Sequence, residues 1–184
     1  MKTHRLSALT ATSVALMALY GTASAAGLCS SQTLKGAYGF SAKGEVLGIL
    51  DSDNMLHPFR APAPLDDVAI VTFNGAGGFS RTDFGNVSGI PKGGQTAFNP
   101  NQGGSYTLNS DCTGNMTIKY DNGVVLVLQM VVDSDASEVR ALISTEYVPV
   151  GSEKATDGTS CTSGCFEGVQ VSLEGRRVLF YGFR

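Results

Sequence analysis

Histidine chemistry has little to work with in this chain. Only His4 and His57 occur among the 184 residues, so any Ser-His-Asp arrangement must pass through one of them. His57 stands in MLHPFRAPAP, where Pro58, Pro62 and Pro64 impose extended backbone. A histidine in such a loop is ordinarily solvated, and no G-x-S-x-G elbow accompanies it. The thiols are Cys29, Cys112, Cys161 and Cys165. A cysteine nucleophile needs a free thiolate, which bridging removes. As zinc ligands, one C-x-x-x-C pair, two distant cysteines and a histidine are a poor tetrahedral set. No catalytic residue, metal or cofactor is assigned.

Carboxylates offer more. Asp51-Ser52-Asp53-Asn54 and Asp133-Ser134-Asp135 faintly resemble calcium loops. The EF-hand pattern fails, because Met55 stands where a third oxygen ligand belongs and no glycine follows 133–137. Asx turns account for both segments better. Glu45 and Glu146 fall within expected strands. A glutamate turned into an apolar cavity has a raised pKa and can act as acid or base; an outward face is the plainer alternative for each. With the aromatic residues Tyr38, Phe40, Phe73 and Tyr106, these two glutamates make up the candidate interior binding set. Gly75-Ala76-Gly77-Gly78 reads as a turn, since no helix follows to cradle a phosphate.

The elements that must position these residues are strands. Residues 1–25 are set aside first. Lys2 and Arg5 precede a largely apolar run from Leu6 to Tyr20, and Ala23-Ser24-Ala25 offers small residues for cleavage. This is the build of a secretory signal, and the run is shorter than the roughly 20 residues a membrane span needs. Removing 25 residues from 184 leaves 159, enough for one domain over 26–184. Lys2 and Arg5 leave with the signal, so the net charge of −3 becomes −5. Nothing there favours nucleic acid. A hydrophobic content of 42% excludes a disordered chain. Export to a periplasmic or extracellular compartment permits disulfides, and four cysteines allow three pairings. Cys161 and Cys165 could close a small loop, leaving Cys29 to Cys112.

Apolar residues recur with period two rather than 3.6. Strands are expected over 35–46, 67–73, 79–87, 104–109, 114–120, 124–132 and 139–148, with a last pair, 168–173 and 177–183, joined through Glu174-Gly175. Asp121-Asn122-Gly123 between apolar runs is a hairpin signal. Three stretches, 50–66, 88–103 and 149–166, read as loops. The fold class is all-β, an antiparallel meander closed as a barrel of about eight strands, with a β-sandwich as the alternative. In 124–132 every residue except Gln129 is apolar on both faces. An antiparallel strand with one wet face alternates, so a loop, an N-terminal segment or a second subunit is expected over the outer side. A central strand of a sandwich explains it equally well.

Four segments carry a resemblance. LKGAYGFSAKG (34–44), AIVTFNGAGGFSRTD (69–83), GSYTLNSDCTGNMTI (104–118) and VLVLQMVV (125–132) resemble a group of uncharacterised exported bacterial proteins. Those proteins share C…LKGxYGF, a T-F-x-G-x-G turn and a DCTG hairpin. In that group Cys29 and Cys112 match the two characteristic cysteines, which implies their pairing. The group's organisation is similar to the allene oxide cyclase and dirigent-like barrels of calycin type, a fold-level similarity that implies no activity.

The chain is therefore expected to be an exported barrel binding an apolar small molecule or lipid without catalysis, with no nucleic-acid partner and no membrane span. A cyclase- or isomerase-like enzyme using a cavity glutamate, and a structural or surface-interaction protein with a filled barrel, are the alternatives. A homo-oligomer formed through 124–132 fits any of the three.

Overall fold

Period-two alternation is realised as nine strands: β1 (Lys35–Leu50), β2 (Leu56–Asn74), β3 (Gly78–Val87), β4 (Ile90–Pro91), β5 (Asn99–Leu108), β6 (Thr113–Lys119), β7 (Val125–Val132), β8 (Glu138–Val148) and β9 (Cys165–Arg177). The structure is a computed structural model that describes residues 28–151 and 153–178. The segment read as a signal, and the expected return strand beyond Val178, lie outside the described residues. Every pairing is antiparallel. The order is β2-β1-β9-β8-β7-β6-β5-β3-β4, and β2 also pairs with β3, so eight strands close into a barrel and short β4 hooks onto β3. Closure pairs β2 with β3 as well as with β1 and hides the edges that an open sheet would expose along that stretch.

The turns follow local chemistry. Gly123 has φ 88°, and its N–H donates to the Tyr120 carbonyl at 3.1 Å while Asn122 Oδ1 accepts from the Val124 N–H at 3.1 Å. This is the hairpin that Asp121-Asn122-Gly123 announces. Asn74 Oδ1 likewise accepts from the N–H groups of Ala76 (2.7 Å) and Gly78 (3.0 Å) in the β2–β3 turn.

Two expectations about strands are corrected. Much of 50–66 is strand, because β2 begins at Leu56 and continues through three prolines. Pairing with β3 reaches only to Leu65 opposite Val87. Beyond it β2 has a strand neighbour on one side only, where a residue without an N–H is tolerated. Glu174-Gly175 is not a turn, since β9 runs straight through it. Gly175 lies opposite Phe40, and a Cβ there would collide with the Phe40 ring. The ring occupies the place of the missing side chain, so glycine serves packing here.

One half of the barrel is solid. The Phe73 ring is the hub, with ring centroids of Tyr106 at 5.1 Å, Tyr38 at 5.3 Å, Phe79 at 5.7 Å and Phe40 at 6.4 Å. Tyr38 donates its hydroxyl to the Ala136 carbonyl at 2.7 Å, and Tyr106 donates toward the carbonyls of Ser31 (2.7 Å) and Leu34 (2.9 Å). The segment before β1 thereby folds across this end, and the Cys29–Cys112 disulfide fastens it to the β5–β6 turn. The second disulfide, Cys161–Cys165, lies at the opposite end. There Cys161 packs in a smaller cluster with Val46, Ile49, Phe59, Ala63 and Val148. Two disulfides fit an oxidising compartment. Among the described residues no helix is long and apolar enough to cross a membrane.

The doubly apolar strand turns one face to the core and leaves part of the other exposed. Leu126, Leu128, Met130 and Val132 of β7 face the core. On the outer side Val131 is 54% exposed, beside Leu142 at 61%. No described segment of this chain covers that surface.

The solid half makes a direct prediction. Phe73→Ala removes the ring that four others pack against and is expected to cost about 3–5 kcal/mol. Glu45→Ala, on the outer face, is expected to stay within about 0.5 kcal/mol. Equilibrium urea unfolding of both variants checks the contrast.

Candidate ligand cavity

The other half of the barrel is hollow. A cavity of about 470 Å³ occupies it, open toward the end that carries the loops after β1, β3, β6 and β8. Its belt is apolar, built from inward residues such as Ala42 and Val46 of β1, Ala63 and Leu65 of β2, Ile118 of β6, Leu126 of β7 and Val171 of β9. Its polar groups gather mainly on two walls, and the strand order places these walls across the barrel from each other.

The first wall is an ion network on β2, β3 and β5. Alternation that sends Phe73, Val71 and Ala69 inward also sends Asp67 inward, and the phase that buries Phe79 buries Arg81 and Asp83. Arg81 is 3% exposed and Asp83 fully enclosed. The guanidinium spans Asp67 (2.6 Å) and Asp83 (2.5 Å). Lys92, from the short 3-10 turn after β4 (Lys92–Gly94), reaches in and bridges the same two carboxylates at 2.6 and 2.5 Å. Gln102, directly opposite Arg81 on β5, hydrogen-bonds both Arg81 and Asp83. Gln95 donates to Asp83 Oδ1 at 3.1 Å. The Tyr120 ring lies beneath both cations, with Lys92 Nζ 4.7 Å and Arg81 Cζ 5.4 Å from its centroid, a cation–π arrangement. Gly85 makes room for the network, because a Cβ there would stand 2.7 Å from Asp67 Oδ2.

Two charges of each sign balance within this wall. Burial pushes the Asp67 carboxyl up to about 6 against the pull of Arg81 and Lys92. Burial also opposes ionisation of Asp83, but Arg81 and Lys92 outweigh it and hold that carboxyl well below the usual range. Such a network is costly to break, since removing one member strands a buried charge.

The second wall is a carboxyl pair on β8 and β9. Val139, Ala141 and Ile143 point inward, so strict alternation would turn Glu146 outward. The β7 pairing skips Ser144, with Leu128 opposite Ile143 and Val127 opposite Thr145. This bulge shifts the phase by one residue and aims Glu146 into the cavity. Ser144 Oγ secures it by donating to the Val127 carbonyl at 3.0 Å. Glu167 of β9 stands directly across from Glu146 and lines the same space. Glu146 Oε2 is buried without a hydrogen-bond partner. Burial, with repulsion from Glu167, pushes Glu146 up to about 7, partly offset by Lys92. Burial and the nearby Glu153 push Glu167 up to about 6.

Of the candidate interior binding set, only Glu146 lines this cavity. Tyr38, Phe40, Phe73 and Tyr106 face inward as alternation requires, but they pack on one another and fill the solid half. Glu45 is exposed on the outer face, since Gly44 and Val46 on either side of it point inward. Asp67, Arg81, Asp83, Lys92, Gln95, Gln102, Tyr120 and Glu167 were not anticipated. Phasing the strands from Phe73 and Phe79 would have found Asp67, Arg81 and Asp83. No sequence signal marks Lys92, which reaches the interior from a loop.

His57 is a clamp outside the cavity. Its Nδ1 lies 2.6 Å from Asp157 Oδ2 and its Nε2 3.2 Å from Asp51 Oδ2. The loop after β1 is thereby tied to the loop between β8 and β9. Both hydrogen-bonded carboxylates raise the imidazole above its ordinary 6.5, Asp157 foremost. Asp51 also caps the Asx turn expected there, accepting from the Asp53 and Met55 N–H groups at 2.9 Å.

The Glu146 environment gives the stability a pH dependence of defined sign. A carboxyl whose folded pKa is raised from 4.5 to about 7 contributes fully below pH 4.5, and that contribution is lost as pH rises through about 7. Glu146→Gln removes the ionisation. The variant is expected to match wild type near pH 4.5 and to be more stable at pH 8 by about 2–3 kcal/mol, since each tenfold change in proton affinity is worth about 1.36 kcal/mol. Urea midpoints measured across this range check it; an unchanged profile in the variant would sink the assignment.

No protein-family model matches the chain, and no curated protein matches it. Among solved structures it is similar to one described as EF1p2_mFAP2b bound to DFHBI, at 13% sequence identity and a TM-score of 0.45, with 83% of this chain and 99% of that chain covered.

Proposed function

We propose that this protein is an exported barrel that holds a small, mainly apolar molecule in its hollow half without converting it. One observation carries the reading: a cavity of about 470 Å³ with a largely apolar belt, in a barrel whose other half is packed solid. Ligand sites have this make-up, an apolar concavity of about 300–1,000 Å³ with a few placed polar groups. A barrel of eight strands can be filled entirely by its own side chains. Here five large aromatic rings fill one half, while residues as small as Ala42 and Ala63 line the other. The signal-like first 25 residues and the two disulfides support export. A neutral environment-sensitive dye, N-phenyl-1-naphthylamine, tests the reading. Wild type is expected to bind it with enhanced fluorescence. Ala63→Trp, which fills the cavity, is expected to weaken binding at least about tenfold, as Val171→Phe is. Equal binding by folded filled variants would refute an interior site.

A second reading is favoured by the orphaned Glu146 carboxyl, a proton carrier poised near neutrality inside the cavity. On this reading the barrel isomerises or cyclises its ligand. Molecules co-purifying with Glu146→Gln would then differ in isomer composition from those released by wild type, and incubation with wild type would convert them. General acid–base steps contribute about 10²–10⁴-fold, so the difference would be plain. Identical composition would leave binding alone.

A further inference from the structure

We infer that the ligand is a cation, an amphipathic amine whose apolar body lies in the belt and whose ammonium group faces Glu146 and Glu167. The inference rests on the binding reading above and names the chemistry of that same cavity.

The distribution of charge carries it. Arg81 and Lys92 are the basic residues lining the cavity, and both are committed to Asp67 and Asp83. Neither makes an ion pair with any other carboxylate among the described residues, and Lys92 offsets the Glu146 charge only in part. Four further acids line the same space: Glu146, Glu167, Glu153 and Asp121. Asp121 receives the Asn99 side-chain amide at 3.3 Å. Among the described residues, no lysine, arginine or histidine comes within ion-pair distance of any of these four. The cavity therefore carries an uncompensated negative wall.

That wall is held in place against its own cost. Like charges directly opposite on neighbouring strands repel, and Glu146 and Glu167 are so placed. Without the Ser144 bulge Glu146 would sit harmlessly outside. An arrangement that breaks a local rule in a cavity marks a functional site. Glu146 Oε2, buried and without a partner, is an open acceptor for an ammonium N–H. A metal ion fits less well, since among the described residues no three His, Cys, Asp or Glu groups gather closely enough to hold one. A carboxylate-bearing ligand such as a fatty acid would meet the acids and find no free cation.

Three probes of equal length decide the matter: octylamine, octanol and octanoate, titrated calorimetrically against wild type, Glu146→Gln, Glu167→Gln and the double variant at neutral pH. Wild type is expected to bind octylamine at least about tenfold more tightly than octanoate, in line with a charge-assisted hydrogen bond in a buried setting. The double variant is expected to lose that preference while binding octanol as wild type does. Retained octanol binding also shows that the double variant is folded. Octanoate binding as tight as octylamine binding, or an amine preference that survives in the double variant, overturns the inference and leaves the cavity reading standing. If none of the three probes binds wild type, both fall.

Discussion

Arg81 sits where the solid half of the barrel ends and the hollow half begins. Its charge is out of reach of bulk water, so its partners must come from the protein. They come from four directions: Asp67 on β2, Asp83 on its own strand, Gln102 on β5 and Tyr120 at the end of β6. Desolvating a guanidinium costs several kcal/mol even after relaxation, and the cost is offset only while all the partners stay in register. The network therefore fixes more than itself. It sets the phase of β2 and β3, holds the loop after β4 across the barrel mouth through Lys92 and Gln95, and prevents the apolar core from continuing upward. A hydrophobic residue at position 81 would extend the plug; an arginine with two carboxylates stops it and leaves space above.

Phase is also what made the fold legible from sequence. Tyr38, Phe40 and Ala42 announce the inward face of β1, and Asn122-Gly123 announces a hairpin. From such local signals the all-β class and the closed meander follow, because a chain of consecutive hairpins without helices has few ways to hide its edges. The Cys161–Cys165 pair was suggested by its short loop, whereas Cys29–Cys112, separated by 83 residues, was implied by the resemblance. Where sequence reasoning failed, the cause was a departure from simple alternation or a contact distant in sequence. The bulge at Ser144 inverts the phase of β8 without any glycine or proline to mark it. Gly175 looks like a turn residue, yet it is a site where the Phe40 ring from β1 needs room. The prolines of β2 suggest a loop and instead occupy a stretch that has outgrown its β3 partner.

The candidate site was less legible than the fold for a related reason. Aromatic residues are the natural first choice for lining a pocket, but large rings pack best against each other, and here they made the floor. Cavities arise where the chain places small residues inside, and a small residue such as Ala63 draws no notice in a sequence. The charged residues were passed over because Asp67 and Arg81 look like ordinary surface polars of an alternating strand. Their meaning depends on which of two faces the strand turns inward, and that is settled by Phe73 and Phe79 further along the same strands.

The two walls differ in how they meet the cost of burial. The Asp67–Arg81–Asp83–Lys92 wall is neutral as built, with each ion met by an opposite one. Among the described residues the Glu146–Glu167 wall has no basic residue within ion-pair distance, and burial raises both carboxyls so that a proton stands in for a counterion. A proton and a bound cation are alternatives at the same oxygen atoms. Linkage makes their effects reciprocal: whatever cation enters must displace the proton held there, and acidification must weaken its hold. On the proposed cation reading, one pair of side chains governs both affinity and stability. The bulge that aims Glu146 inward thus destabilises the fold at neutral pH, and on the proposed cation reading the same charge is what lets the cavity discriminate.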